Sequence, residues 1–286
     1  MISNLIFFNH FHNGDIFFSK GYIRAISRMF PSLSQRYYHE NNPKIIEDLN
    51  VPSYSIHGSG LPMREKFALA DDSILINTWI GNYIQPGINC NWKSLHTVYE
   101  HIYARMSEVF EKQFVLDDIM TYSPFVDDLY FSIPNNIEID YENTIIFSNG
   151  PALSGQSEVS STEGIVDSLL QAFPEKSLIL TYPSSISHKN ISYTSDLLQA
   201  SMPDLNEISI LSRRCKYLIG RQSGPFSFMQ TDKLLSDSRK VVVSFSNSPE
   251  VDWFYQIDTP FPYVNLMDHD ESLLIESMIK FMEENS

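Results

Sequence analysis

Short apolar segments alternate along the chain with longer segments in which apolar residues recur at helical spacing. Residues 5–8 form the first apolar segment, and a helical pattern follows over residues 16–30 and ends at Pro31. Apolar segments without alternation are typical of strands that are buried on both faces, as in a parallel sheet covered by helices. The pattern therefore predicts an α/β protein.

The same pattern predicts the other main elements. We expect further strands over residues 73–77, 144–147, 177–181, 217–220 and 241–245, and helices over 95–114, 162–173, 204–215, 227–236 and 271–284. A polar, proline-containing stretch at 133–141 interrupts the alternation, which restarts at Thr144. We therefore place a boundary there, between an N-terminal domain of residues 1–138 and a C-terminal domain of residues 139–286. The final helix, 271–284, is a candidate to pack back on the N-terminal domain.

Composition limits the classes of function. The 286 residues are 43% hydrophobic, which excludes a disordered chain, and 20 basic against 35 acidic residues leave a net charge of −15. Such acidity argues against nucleic-acid partners and against more than peripheral contact with an anionic membrane, so any bound anion needs a local positive site. Two cysteines are too few for a disulfide framework, and no apolar stretch approaches about 20 residues. We expect a cytoplasmic protein.

A turn in the second half is the first candidate for that positive site. Four basic residues lie within nine positions, namely Arg213, Arg214, Lys216 and Arg221. The last of them opens a turn between a predicted strand and a predicted helix, formed by Arg221, Gln222, Ser223 and Gly224. Free N–H groups, a hydroxyl and a helix dipole suit a phosphate there, and an arginine suits a diphosphate. The alternative is an ordinary helix cap.

A second loop in this half follows the predicted strand 144–147 and contains Ser148, Asn149 and Gly150. Loops at the carboxyl ends of parallel strands bind ligands in open α/β folds, and glycine allows close approach to the backbone. The loop has neither a dinucleotide fingerprint nor a P-loop. It is therefore either part of a ligand site or a plain surface loop.

The first half holds a candidate base. The polar run after the first strand includes His12, Asn13, Gly14 and Asp15, and Asp15 begins the predicted helix. A desolvated carboxylate there can accept a proton from a hydroxyl, with His12 as the competing base. Alternatively, these side chains only cap the helix. Trp79, Asn82 and Tyr83 follow another strand and form either a sugar platform or packing at the sheet's rim.

Two segments resemble the heptosyltransferase-like glycosyltransferases of GT-B fold. Residues 14–31 resemble the family's first turn and helix, and residues 207–227 resemble its helix, strand and diphosphate-binding turn. The resemblance implies two Rossmann-like domains whose parallel sheets face a cleft, with the acceptor on the N-terminal side and the donor on the C-terminal side. It also implies that Asp15 is the base and that Ser223 and Gly224 bind phosphate. Gln222 and Ser227 depart from the family, which has Asp and His there.

The expected activity is transfer of a sugar from a nucleoside-diphosphate donor to a hydroxyl of a glycan or glycoconjugate. The resemblance implies an inverting, metal-independent reaction with no cofactor. One alternative is a metal-dependent hydrolase with a closed barrel, in which His10 and His12 would bind the metal with His57, His188 and Asp258. Another is a non-catalytic GT-B-like domain that binds a nucleotide sugar or a protein partner.

Overall fold

A computed structural model describes residues 2–79, 81, 91–151, 155, 157–159, 161–222 and 224–286. The chain divides into two compact units, Met1–Phe125 and Val126–Ser286. The sequence placed this division after residue 138. Arg213 ties the segment in question to the second unit, since its guanidinium donates to the Val126 carbonyl at 2.6 Å and to Asp128 at 2.5 Å.

The first unit is built on a mainly parallel sheet. Its strands are β1 (Asn4–Asn9), β2 (Ser34–His39), β3 (Ser53–Ser55), β4 (Phe67–Ala70) and β5 (Ser73–Asn77), in the order β3-β2-β1-β5-β4. All neighbours are parallel except β4, which runs antiparallel to β5. The sequence predicted β1 and β5, whose residues are mostly buried. It missed β2, because the segment SQRYYH is rich in polar residues and only Tyr37 and His39 in it are buried.

The described residues of this unit form the helices α1 (Asn13–Met29) and α2 (Trp92–Phe110), and 3-10 turns occur at Pro43–Leu49 and Ile119–Tyr122. Helix α1 is buried on most of its surface. Gly21 lies on it against the backbone of Tyr122, and a Cβ at this glycine would come within 2.0 Å of the Tyr122 carbonyl oxygen. Helix α2 ends earlier than predicted, because Glu111 adopts a left-handed backbone conformation at its C-cap.

The second unit contains a parallel sheet of six strands. They are β6 (Thr144–Ser148), β7 (Ser177–Leu180), β8 (Ile191–Tyr193), β9 (Tyr217–Arg221), β10 (Val241–Ser246) and β11 (Tyr263–Met267). Their order is β8-β7-β6-β9-β10-β11, so the chain first builds outward from β6 on one side and then from β9 on the other. This is the order of the doubly wound nucleotide-binding fold.

The helices of this unit are α3 (Glu163–Ala172), α4 (Thr194–Leu198), α5 (Leu205–Ser212), α6 (Pro225–Met229), α7 (Asp232–Leu235) and α8 (Glu271–Glu284), with short 3-10 turns at Tyr141–Asn143 and Pro249–Val251. The predicted helix 227–236 is two short helices, since the chain breaks at Gln230. Helix α8 buries Leu274, Met278 and Met282 in the core of its own unit.

These observations confirm the α/β class and two units with largely parallel sheets. The closed-barrel interpretation is wrong, because the described strands form two open sheets.

Candidate functional site

Each sheet has a switch point where neighbouring strands lead their chains to opposite sides. In the first unit it lies between β1 and β5, and in the second between β6 and β9. Ligands of open α/β folds bind outside the carboxyl ends of the strands at such points. The candidate residues from the sequence follow these four strands.

The two central strands of the first unit end in the same way. Asn9 ends β1 and its Oδ1 accepts from the Phe11 N–H at 2.8 Å, while Asn77 ends β5 and its Oδ1 accepts from the Trp79 N–H at 3.0 Å. Each asparagine thus makes a local turn that carries the chain off the sheet. The two turns place Phe11 and Trp79 side by side, with ring centroids 3.8 Å apart and nearly parallel planes.

Asp15 lies in the first turn of α1 and is the most perturbed acid of this edge. Burial raises the pKa of its carboxyl to about 6, while the charges of His12 and Lys66 and the backbone N–H groups of His12 and Asp15 oppose the rise. His12 is the N-cap residue, so the carboxylate reaches back to the N–H of the cap. A carboxyl poised near neutral pH is suited to accept a proton from a hydroxyl.

The neighbouring candidates differ in their exposure. His12 is exposed and makes no side-chain cap hydrogen bond, whereas His10 packs its ring against Phe11 and Trp79. The two side chains therefore lie in different surroundings. Asn13 and Gly14 form the first residues of α1, and a Cβ at Gly14 would meet no atom within 4 Å. The turn is open at that glycine.

Lys66 also lies at this carboxyl edge of the sheet, and it was not predicted from the sequence. It is 3% exposed, its Nζ donates to the Trp79 carbonyl, and the same atom lies 5.1 Å from the centroid of the Trp79 ring. Trp79 thus packs with Phe11 and Lys66. Asn82 and Tyr83, the other proposed platform residues, lie outside the described residues.

Arg221 ends β9 at the second switch point. The residue is 4% exposed, and its Nε has no hydrogen-bond acceptor among the described residues. Burial lowers the pKa of the guanidinium, and the negative charge of Asp268 opposes that effect. Arginine keeps its proton in proteins, so a buried cation lies at the carboxyl edge of this sheet.

Asp268, whose negative charge acts on this cation, also holds the loop that follows β6. Its Oδ2 accepts from the Ser157 hydroxyl at 2.5 Å and from the Glu158 N–H at 2.9 Å. The effect of the Asp268 charge on Arg221 was not predicted, because the two residues are far apart in sequence. The signal that was available is its position directly after a strand.

Gln222 is a buried structural residue rather than an open ligand-binding group. Its Nε2 donates at 2.9 Å both to Asp252 Oδ1 and to the Tyr263 hydroxyl, and its Oε1 accepts from Gln230 at 3.1 Å. Burial raises the pKa of Asp252 to about 6, which hydrogen bonds from Tyr263 and Phe254 oppose. This network of hydrogen bonds fixes the side chain of Gln222, the residue that leads into the turn.

The turn itself requires glycine. Gly224 has φ 56° and ψ −136°, a region open to residues without a Cβ, and it is the N-cap of the five-residue helix α6. Ser223 lies outside the described residues.

The loop after β6 is held by Asn149. Its side-chain amide donates to the Tyr182 carbonyl at 2.9 Å and accepts from the Tyr182 N–H at 2.8 Å, so it is occupied by the backbone of a neighbouring loop. Ser148 is 3% exposed at the end of β6, and a Cβ at Gly150 would lie 3.6 Å from Tyr182. Asn149 therefore shapes the loop.

The basic cluster of the sequence does not form one site. Lys216 precedes β9 and pairs with Glu142 at 3.1 Å, Arg213 binds residues 126 and 128, and Arg214 donates to the Ile137 carbonyl at 3.3 Å. Five residues of extended strand separate Lys216 from Arg221 by about 16 Å. A strand carries its two ends to opposite edges of the sheet, and only Arg221 reaches the carboxyl edge.

Within the described ranges, no three His, Cys, Asp or Glu side chains gather as a metal site. None of the helices within those ranges combines the length and apolar character needed to cross a bilayer.

No protein-family model matches the chain, and no curated protein does. Among solved structures, the E. coli heptosyltransferase WaaC with ADP-2-deoxy-2-fluoro heptose is similar over 99% of this chain and 100% of its own, with a TM-score of 0.58 and 9% identity. A glycosyl transferase of family 9 from Veillonella parvula matches over 100% and 98%, with a TM-score of 0.47 and 13% identity. The WaaC likeness confirms the GT-B-like fold that the sequence indicated.

Proposed function

We propose that the protein is a glycosyltransferase that moves a sugar from a nucleoside-diphosphate donor to a hydroxyl acceptor. The observation that carries the proposal is Arg221, a buried cation at the switch point of a doubly wound sheet, whose Nε has no acceptor among the described residues. A diphosphate is a dianionic, bidentate acceptor that suits such a group. Asp15, on the other unit, supports the choice of transfer to a hydroxyl.

The proposed reaction is displacement at the anomeric carbon. Asp15 takes the proton of the acceptor hydroxyl, that oxygen attacks, and the bond to the diphosphate breaks with inversion. Arg221 and the backbone amides of the turn at Gly224 stabilise the charge of the departing diphosphate. Because these groups supply the positive charge that the departing diphosphate needs, the proposed transfer requires no metal. Asp15 and Arg221 lie in different units.

The first test is calorimetric titration with ADP, UDP, GDP and CDP, followed by their sugar conjugates. ADP-linked sugars come first, since WaaC, the similar structure named above, was solved with one. We expect one nucleoside diphosphate to bind, and we expect Arg221→Met to weaken its affinity about 10-fold to 100-fold. The matched control is Arg239→Met, which removes an exposed cation and should leave the affinity unchanged. Equal binding by both variants would contradict the donor site.

Turnover decides between an enzyme and a binding domain. Asp15→Asn should abolish transfer while the affinity for the diphosphate stays within about twofold, because the two sites lie in different units. Transfer that is lost on adding a chelator and restored by Mn²⁺ would contradict the metal-independent step.

A further inference from the structure

Helix α6, which begins at the proposed diphosphate turn, is not held by local capping. It has five residues, Pro225–Met229, and isolated helices of that length are not stable in water. Its N-cap is Gly224, which has no side chain to accept from the first N–H groups and which loses more backbone freedom on folding than any other residue type. The conformation of this turn is therefore fixed by groups outside it.

The side chain of Gln222 supplies a tether across the turn. Its Oε1 accepts from Nε2 of Gln230 at 3.1 Å, and Gln230 is the C-cap of α6. The residue that leads into the turn is thus bonded to the residue that follows the helix. The Gln222 N–H also donates to the Phe245 carbonyl of β10 at 3.2 Å, so the main chain at the start of the turn is fixed to the sheet.

Asp252 and Tyr263 anchor this tether to two further segments of the unit. The Gln222 Nε2 donates to Asp252 Oδ1 and to the Tyr263 hydroxyl, both at 2.9 Å, and that hydroxyl donates to Asp252. The Asp252 carboxylate also accepts from the Phe254 N–H at 2.9 Å. Gln222 and Gln230 are each 1% exposed and Asp252 is 6% exposed, so little water reaches these hydrogen bonds.

We propose that Gln222 is a positioning residue for the donor site, and that its side chain, anchored on Asp252, holds the turn at Gly224 in the conformation that binds the diphosphate. This role rests on the proposed function. Both hydrogens of the Gln222 amide are already used, so the side chain acts on the turn and does not donate to the ligand.

The first test compares Gln222→Leu with Gln35→Leu in calorimetric titrations with the nucleoside diphosphates named above. The control removes an amide of the first unit that donates to the Ser27 and Phe30 carbonyls at 2.9 and 3.1 Å. Gln222→Leu should weaken diphosphate binding about tenfold, the equivalent of one or two hydrogen bonds, and Gln35→Leu should not change it. In turnover, the KM for the donor should rise while kcat stays within about twofold, because the turn is ordered at the expense of donor binding.

Hydrogen exchange without ligand tests the turn directly. The N–H groups of Ser227 and Gln230 donate to the Gly224 and Ser227 carbonyls at 3.1 and 3.3 Å. In Gln222→Leu these two amides should exchange about tenfold faster, whereas the amides of the central strand β6 should exchange as in the wild type.

Gln230→Leu is a second variant that cuts the same tether with less risk to the fold. Its Oε1 has no hydrogen-bond donor among the described residues, so the substitution also removes an unsatisfied buried acceptor. It should weaken diphosphate binding as Gln222→Leu does, and the double variant should bind within about twofold of Gln222→Leu. Losses that multiply to about 100-fold would overturn the shared tether.

The two readouts separate this inference from the proposed function. Wild-type exchange at Ser227 and Gln230 in Gln222→Leu would overturn the role of Gln222, and so would faster exchange with unchanged diphosphate affinity. Faster exchange throughout the second unit would overturn it as well, because Gln222 would then support the whole fold. If the wild type binds none of the diphosphates, the glycosyltransferase proposal fails, while exchange without ligand still decides whether Gln222 holds the turn.

Discussion

Replacing Asp15 by Asn should stabilise the first unit at neutral pH while it abolishes transfer. Burial raises the pKa of Asp15 from 3.8 to about 6, so the folded state binds the proton more tightly than the unfolded state does. The stability that this proton contributes is fully present below pH 3.8 and is lost as pH rises through about 6. Asparagine has no charge to desolvate and does not suffer that loss.

The size of the effect follows from the shift. Each pKa unit corresponds to 1.36 kcal/mol, so a rise of about two units gives an upper bound of about 3 kcal/mol. Asp15 keeps partial exposure to solvent, which screens its charge, and we therefore expect Asp15→Asn to gain about 1–3 kcal/mol above pH 7. Near pH 4 the pH-dependent part of the stability difference between Asp15→Asn and its parent should be close to zero.

Urea unfolding at pH 4.5, 6 and 7.5 measures this difference. The chain has three tryptophans, and a Trp253→Phe background leaves Trp79 and Trp92, so that fluorescence reports the first unit. The free energies of unfolding can be compared if their slopes against urea concentration agree between the variants. A gap between Asp15→Asn and its parent that is constant across the three pH values would refute the desolvated carboxyl. A variant less stable than its parent at pH 7.5 would show instead that hydrogen bonds at the helix cap outweigh desolvation.

Three further substitutions test the supports of the two edges. Gly224→Ala should destabilise the second unit by about 1–3 kcal/mol and weaken diphosphate binding, because its positive φ opposes a Cβ; calorimetry and urea unfolding measure both. Tyr263→Phe removes a donor to Asp252 and should cost about 1–3 kcal/mol, and the cost should grow from pH 5 to pH 8, since the lost bond favoured the ionised carboxylate. A cost that is equal at both pH values would count against a charged Asp252. Gly21→Ala should force α1 away from Tyr122, destabilise the fold by about 1–3 kcal/mol and lower the melting temperature. An unchanged melting curve would contradict the close approach of α1 to Tyr122.

Local pattern was enough to predict the central strands and to single out Asp15 as a candidate base. Residues 5–8 and 217–220 are apolar without alternation, and they lie in β1 and β9, each with neighbours on both sides. Asp15 could be singled out because a strand, a polar turn and a helix follow one another within a few residues, and this order alone places its carboxyl at a helix start on the sheet's carboxyl edge. Gly224 could be singled out for the same reason.

Tertiary structure decided everything that joins residues distant in sequence. Four basic residues within nine positions read as one cluster, but β9 runs between them and sends Arg221 to one edge while its three neighbours bind the segment 126–142 at the other. Lys66 and Asp268 have no motif, and they lie at the carboxyl edges of the two sheets because the antiparallel strand β4 begins at one edge and the parallel strand β11 ends at the other. Sequence thus determined which buried segments become the central strands and which turns carry polar groups. Only the order and direction of the strands determined which of those groups meet, because proximity across a sheet depends on pairing and not on distance along the chain.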